Sequence, residues 1–359
     1  MSNYVLQYPN GELHLPEQPA TVGDAGLDIS SLLKDTGHVT LDSGFMNTAS
    51  CKSAITYIDG DAGILRYRGY PIEQLAEGAT FYEVAYLLIY GELPTPQQYA
   101  EFEQNIKLHT MVHEDLRHLF DAFPSNAHPM PVLSSAVSAL STFFQDSLDP
   151  FDPEQVHVST IRLLAKMPTL AALAHKKNVG QPHAYPKNHL NLVENFMRMT
   201  FAVPAEPYEV NPIAARALDQ LFILHADHEQ NCSTSTVRMV GSSHANMFAS
   251  ISAGINALFG PLHGGANQAV LDSITIPPNA DPAVAVRAPR YSAVTAGVAR
   301  YDVVDPKDWR ELNRAVTPKC PERIASVWAN SFTPCSVRRT YRSPVSAHWQ
   351  SSPSSRTSR

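Results

Sequence analysis

The chain has 359 residues, with 27 Lys+Arg against 34 Asp+Glu for a formal charge of −7; 44% of residues are hydrophobic and 17% charged. An average soluble protein is roughly 25% charged, so most of this chain is expected to bury a core, and wholesale disorder is excluded. Mean hydropathy is −0.18, and no run of about 18 apolar residues is present to make a spanning helix.

The opening stretch, MSNYVLQYPNGELHLPEQP, lacks the basic and apolar pattern of a signal peptide, so a cytoplasmic location is expected. Within it a Pro-Asn-Gly turn separates alternating segments, which predicts a β-hairpin, and residues 1–66 read as a β-rich N-terminal segment. Near residue 70 the apolar period changes from two to 3.6. FYEVAYLLIYGELP places Val84, Leu87 and Leu88 on one helical face and stops at Gly91 and Pro94. QVHVSTIRLLAKMPTLAALAHK is helical with Pro168 inside, which predicts an end or a kink there. LNLVENFMRMTFAVP repeats the pattern and stops at Pro204. The next helix is expected to start at Asn211 as N-cap with Pro212 first, and its stripe of Leu218, Leu221 and Phe222 extends through His225 and His228. Small residues Ala245, Ala249, Ser252, Ala253 and Asn256 line one side of the following helix, which allows another backbone close. Gly260 and Pro261 end that helix, and helical character resumes at about Ala266.

Residues 272–359 differ in kind. They hold 13 Lys+Arg against 7 Asp+Glu, with 10 prolines and 12 serines, and no acidic residue follows Glu322. The basic side chains are dispersed, without blocks or interleaved aromatics, so a nucleic-acid partner is not expected. Neither is a membrane. Cys51, Cys232, Cys320 and Cys335 form no CxxC knuckle and read as free thiols.

Three groups of residues carry possible chemistry. His225 and His228 lie three apart, where HExxH would need four, so the pair suits a metal poorly; a structural pair and a site for an anionic substrate remain open, since imidazole donates a hydrogen bond in either protonation state. His263 is followed by Gly264 and Gly265 and then a helix start, a setting that allows close ligand approach and favours a neutral imidazole able to donate to a developing enolate oxygen. An incidental histidine in a Gly-Gly turn is the alternative. Asp59-Gly-Asp-Ala-Gly63 begins like a calcium loop but lacks its twelfth-position glutamate, and reads as a structural turn. P-loop, hydrolase-elbow and dinucleotide fingerprints are absent from the sequence.

The strings TYIDGDAGILRYRGYPIEQLA, HTMVHEDL, NAHPMPVLSS, EPYEVNP, ILHADHEQNCSTSTVR and GPLHGGANQAVL together resemble citrate synthase, of the bacterial hexameric type with an added N-terminal β-rich segment, over about residues 1–272. The resemblance implies a mainly α fold, with a helical large domain over 67–272 behind the 1–66 segment. It implies condensation of acetyl-CoA with oxaloacetate, the first step of the tricarboxylic acid cycle, with no metal and no cofactor, acetyl-CoA being a substrate. It implies that His228 and His225 bind oxaloacetate, that His263 holds the acetyl-CoA enol oxygen as a catalytic residue, and that the chain forms a homo-oligomer, a dimer or hexamer. The same motifs serve 2-methylcitrate synthase with propionyl-CoA, and a non-catalytic paralogue joining synthase oligomers would carry them too.

After Leu271 the sequence departs from the family. The small domain and C-terminal helices, with their Gly-His-Arg motif, aspartate base, carboxylate-clamping arginines and CoA site, have no counterpart that the sequence identifies. Residues 273–359 are expected to be an atypical, poorly ordered Pro/Ser/Arg-rich tail, from a shifted reading frame or an alternative ending, which leaves activity impaired. Some Gram-negative members bind NADH through an arginine and a cysteine at positions occupied here by Leu108 and Ala205; Arg162 and Lys166 are the remnant of that allosteric site, and NADH inhibition is not expected.

Overall fold

In a computed structural model, residues 3–42, 47–261 and 263–264 are described. The expected resumption of helix at Ala266, the 273–359 tail, Cys320 and Cys335 lie outside them. The molecule is mainly α, with two small sheets at the N-terminal side.

Strands β1 (Asn3–Tyr8) and β2 (Gly11–Gln18) form the expected antiparallel hairpin, with Tyr8 opposite Gly11 across the Pro9-Asn10 turn. A two-residue β3 (Gly26–Leu27) extends the sheet, and Leu13 and Leu15 of β2 pack on Leu32 of the short helix α1 (Leu32–Thr36). The second sheet is β4 (Thr56–Asp59), β5 (Ile64–Tyr67) and β6 (Tyr70–Pro71) in that order. Asp59 closes the β4–β5 turn by accepting the Ala62 N–H at 2.8 Å, so this segment is the structural turn expected.

Helices follow: α2 (Ile72–Gly78), α3 (Phe81–Tyr90), α4 (Pro96–Leu108), α5 (Glu114–Ala122) and α6 (Pro129–Phe143), then a 3₁₀ turn at Gln145–Ser147. They continue with α7 (Pro153–Asn178), α8 (Leu192–Phe201), α9 (Pro212–Leu224), α10 (Cys232–Gly241) and α11 (Met247–Leu258). Local sequence explains their limits. Thr80, Thr95 and Asn191 close capping boxes with Glu83, Gln98 and Glu194. Gly91 ends α3 at φ +96, a conformation costly to any residue with a Cβ.

Helix α7 overturns the end expected at Pro168. It runs unbroken for 26 residues through Pro168. The proline removes one donor, but tertiary packing supports the helix on both sides of it: Leu163, Leu170 and Leu173 sit in a core with Phe120, Leu140 and Phe248, while Ile161 and Ala165 face a second core with Phe102 and Ile106. A third core joins Tyr67 of β5 to Ile72, Val84, Leu87 and Ile223, so the second sheet is anchored to the end of α9.

The small-residue stripe on α11 works in part as expected. Ser252 meets α6, its hydroxyl donating to the Ser134 carbonyl at 2.9 Å while the Ser134 hydroxyl donates to the Ser252 carbonyl at 3.1 Å. The tighter approach is at Gly254, outside that stripe, where a Cβ would stand 2.6 Å from Cγ2 of Val237 on α10.

Candidate functional site

Asn211 caps α9 as expected, accepting the Ile213 and Ala214 N–H groups at 2.9 and 3.2 Å, with Pro212 leading the helix. The far end departs from expectation. The helix stops at Leu224, His225 is its C-cap at φ −106 and ψ 7, and His228 stands in the loop that leads to α10. The two histidines therefore do not share a helical face.

Tyr67 supplies the physical reason. In a continued helix the Leu224 carbonyl would accept from the His228 N–H, and the Asp227 N–H would reach Ile223. Instead the Tyr67 hydroxyl lies 3.3 Å from the Asp227 N–H as acceptor and directs its one hydrogen at the Asp227 carbonyl at 3.0 Å, with the Leu224 carbonyl 3.4 Å away. His225 completes the last turn, its Nδ1 2.8 Å from the Leu221 carbonyl.

The loop is fastened to the second sheet along its length. Thr56 Oγ1 donates to Oδ2 of Asp227, which also accepts the Glu229 N–H at 3.1 Å. The Ile58 N–H donates to Oε1 of Glu229 at 2.9 Å, and the Ser50 hydroxyl to the Gln230 side-chain carbonyl at 3.4 Å. Glu229 adopts φ +55, a left-handed conformation that costs an ordinary residue about 1 to 2 kcal/mol and is held here by these bonds.

On the other side, Asn231 caps α10 by accepting the Thr234 N–H at 2.9 Å. Past α11 the chain turns, the His263 N–H donating to the Gly260 carbonyl at 3.0 Å. Nδ1 of His263 lies 3.4 Å from the Ser233 hydroxyl in the first turn of α10. Burial pushes the His263 pKa below its ordinary 6.5; the Ala257 carbonyl opposes this and a charge on His228 reinforces it. His263 therefore favours its neutral form.

Arg162 and Lys166 have internal partners. Arg162 makes a two-pronged ion pair with Asp146 at 2.7 and 2.9 Å and lies 4.4 Å over the Phe144 ring. Lys166, 3% exposed, donates to the carbonyls of His109 and Met111, and burial lowers its pKa to about 8. A cleft of about 280 Å³ between α3, α4, α8 and α9 includes none of the three site histidines, and its carboxylates serve the fold: Asp219 accepts the Phe81 N–H and pairs with Arg216, and Glu194 completes the α8 cap.

Cys51 and Cys232 are free thiols. Among the described residues no group of three or more His, Cys, Asp or Glu is placed to hold a metal ion, and no helix is long and apolar enough to cross a membrane. The sequence reading missed Tyr67, Thr56, Asp227 and Ser233, whose importance arises only from contacts between distant segments.

Comparison with known proteins gives the following. The family model for citrate synthase, C-terminal domain, matches residues 44–298, running on past Leu271. Citrate synthase 1 of Mycobacterium tuberculosis (strain H37Rv) is 68% identical over 269 residues, covering 75% of this chain and 62% of the relative. Citrate synthase of Corynebacterium glutamicum is 57% identical over 270 residues, with the same 75% and 62% coverage. The chain thus matches under two thirds of the length of these curated relatives. Among solved structures, citrate synthase from Pyrobaculum aerophilum is 28% identical with a TM-score of 0.60, covering 92% of this chain and 78% of that one. A ternary complex of the Thermoplasma acidophilum enzyme with carboxymethyl coenzyme A and oxaloacetate shares the fold at 23% identity and a TM-score of 0.61, covering 82% and 77%.

Proposed function

We propose, from the premise that this chain belongs to the citrate synthase family, that its histidine loop and the turn at His263 form the part of a site that grips oxaloacetate and steadies the enol of acetyl-CoA. What supports this reading is the family match over residues 44–298, which spans all three histidines, together with a half-buried His263 whose Nδ1 lies 3.4 Å from the Ser233 hydroxyl and whose pKa is lowered by burial.

The chemistry needs those properties. A thioester α-proton is hard to remove because the carbanion is unstable, so a donor must stabilise the oxygen as charge develops. Neutral His263 donates a hydrogen bond to that oxygen. His228, with His225, holds oxaloacetate and polarises its keto group; the α-proton passes to a base that the matched motifs do not include, the enol carbon attacks the keto carbon to form a C–C bond, and the keto oxygen takes up a proton in place of the one lost. Hydrolysis of the thioester then releases citrate and CoA. No metal or cofactor is invoked. We infer a homo-oligomer in the cytoplasm, placed at the entry of acetyl carbon into the tricarboxylic acid cycle.

We infer also that turnover by this polypeptide is slow. No Gly-His-Arg string occurs in the sequence, and loss of a group that moves a proton in the transition state costs roughly 10² to 10⁴ in rate. The test is free-CoA release from acetyl-CoA with oxaloacetate, run beside propionyl-CoA. Oxaloacetate binding with weak turnover is expected. Turnover typical of the family would overturn the inferred impairment, preference for propionyl-CoA would move the reading to 2-methylcitrate synthase, and binding of neither substrate would overturn the site.

A further inference from the structure

We propose that Tyr67 and Thr56, on the strands that flank the Asp59–Gly63 turn, are positioning residues that divert the chain out of α9 and hold His228 in the loop before α10. The proposal rests on the reading of the site given above and adds to it a part of the machinery contributed by a different, β-stranded segment.

Three observations support it. The apolar stripe of α9 carries on in sequence through His225 to His228, yet the helix ends at Leu224. The groups that would have propagated it, the Leu224 carbonyl and the Asp227 N–H, both face the hydroxyl of Tyr67, whose ring is fully buried against Ile72, Val84 and Ile223. The hydroxyl is therefore fixed in space by packing, and it replaces helical partners with its own. Thr56 then anchors the Asp227 side chain, and the same carboxylate receives the Glu229 N–H, so both residues flanking His228 are tied down from one direction. Without these ties the continuation of α9 would place His228 one turn on from Leu224, on the axis of the helix and not in the loop.

The experiment uses the full chain labelled with ¹⁵N-histidine. His228 imidazole resonances are identified by their loss in His228→Asn, and oxaloacetate affinity is measured by calorimetry. Tyr67→Phe removes one oxygen and keeps the packed ring; Thr56→Val removes the donor at nearly constant volume; Thr56→Ser restores it. The expected result is a changed His228 tautomer balance in Tyr67→Phe and Thr56→Val, with oxaloacetate bound at least tenfold more weakly and Thr56→Ser within twofold of the parent. A residue that merely stabilises the fold would lower the melting temperature without moving the His228 resonances. Unchanged His228 resonances in both Tyr67→Phe and Thr56→Val would overturn the proposal; if either variant fails to fold, the other decides. If the parent chain binds no oxaloacetate, the substrate reading fails by itself, and the His228 resonances still decide whether the positioning is real.

Discussion

The hydroxyl of Ser233 stands 3.4 Å from Nδ1 of His263 and ties the first turn of α10 to the turn that follows α11. That distance depends on how closely the two helices lie, and Gly254 sets the limit because any side chain there runs into Val237. The position of a candidate catalytic histidine thus depends on a packing contact between the two helices that precede it.

Gly254→Ala tests this dependence. Helix propensity favours alanine by about 1 kcal/mol, but overpacking against a stiff valine costs about 1 to 3 kcal/mol, and the Cβ at 2.6 Å requires Val237 to move. We expect a net loss near ~1 kcal/mol in urea denaturation, together with a shifted His263 resonance as α10 moves. Equal stability with an unchanged resonance would show that the helices have slack.

His263 is expected to titrate below 6.5 by NMR, because burial disfavours its charged form, and His228→Asn should raise its midpoint by removing a neighbouring charge. The stability consequence has a definite sign. The folded pKa lies below the unfolded one, so the unfolded chain binds more protons between them, and stability falls as pH drops through 6.5 toward the folded midpoint. His263→Asn should flatten that part of the profile; an unchanged slope would contradict the assignment.

Lys166 is nearly fully buried beneath two carbonyl acceptors. Lys166→Met keeps the length of the chain but leaves both carbonyls without a donor, and we expect a loss of about 1 to 3 kcal/mol in denaturant unfolding above pH 8, where the lysine is neutral, and a smaller loss at pH 7, where the variant also escapes the cost of burying the ammonium. With its pKa lowered from 10.5 to about 8 by burial, the parent protein should gain stability as pH rises from about 8 toward 10.5, and the Met variant should lack that gain. A variant as stable as the parent would show that the lysine is dispensable.

Much of the architecture was legible because it is written locally. The Pro9-Asn10 turn, the Asn211-Pro212 start of α9 and the Gly91 stop of α3 each follow from a residue's own conformational preference. Pro168 does not end α7, because its local penalty is smaller than the packing of the helix against two cores. The path of His228 misled for a related reason: helical periodicity continues through it, and only Tyr67, more than 150 residues earlier in the chain, takes the hydrogen bonds away. The Ser233 contact with His263 is likewise invisible to any reading of spacing along one element.

The most direct measurement is calorimetric titration of oxaloacetate into the full chain, the parent beside His228→Asn and His263→Asn. Saturable binding to the parent is expected, with at least tenfold weaker binding to His228→Asn and a smaller loss for His263→Asn, whose assigned partner is the thioester. Equal binding by all three proteins, or no heat with any of them, would contradict the roles assigned to the two histidines.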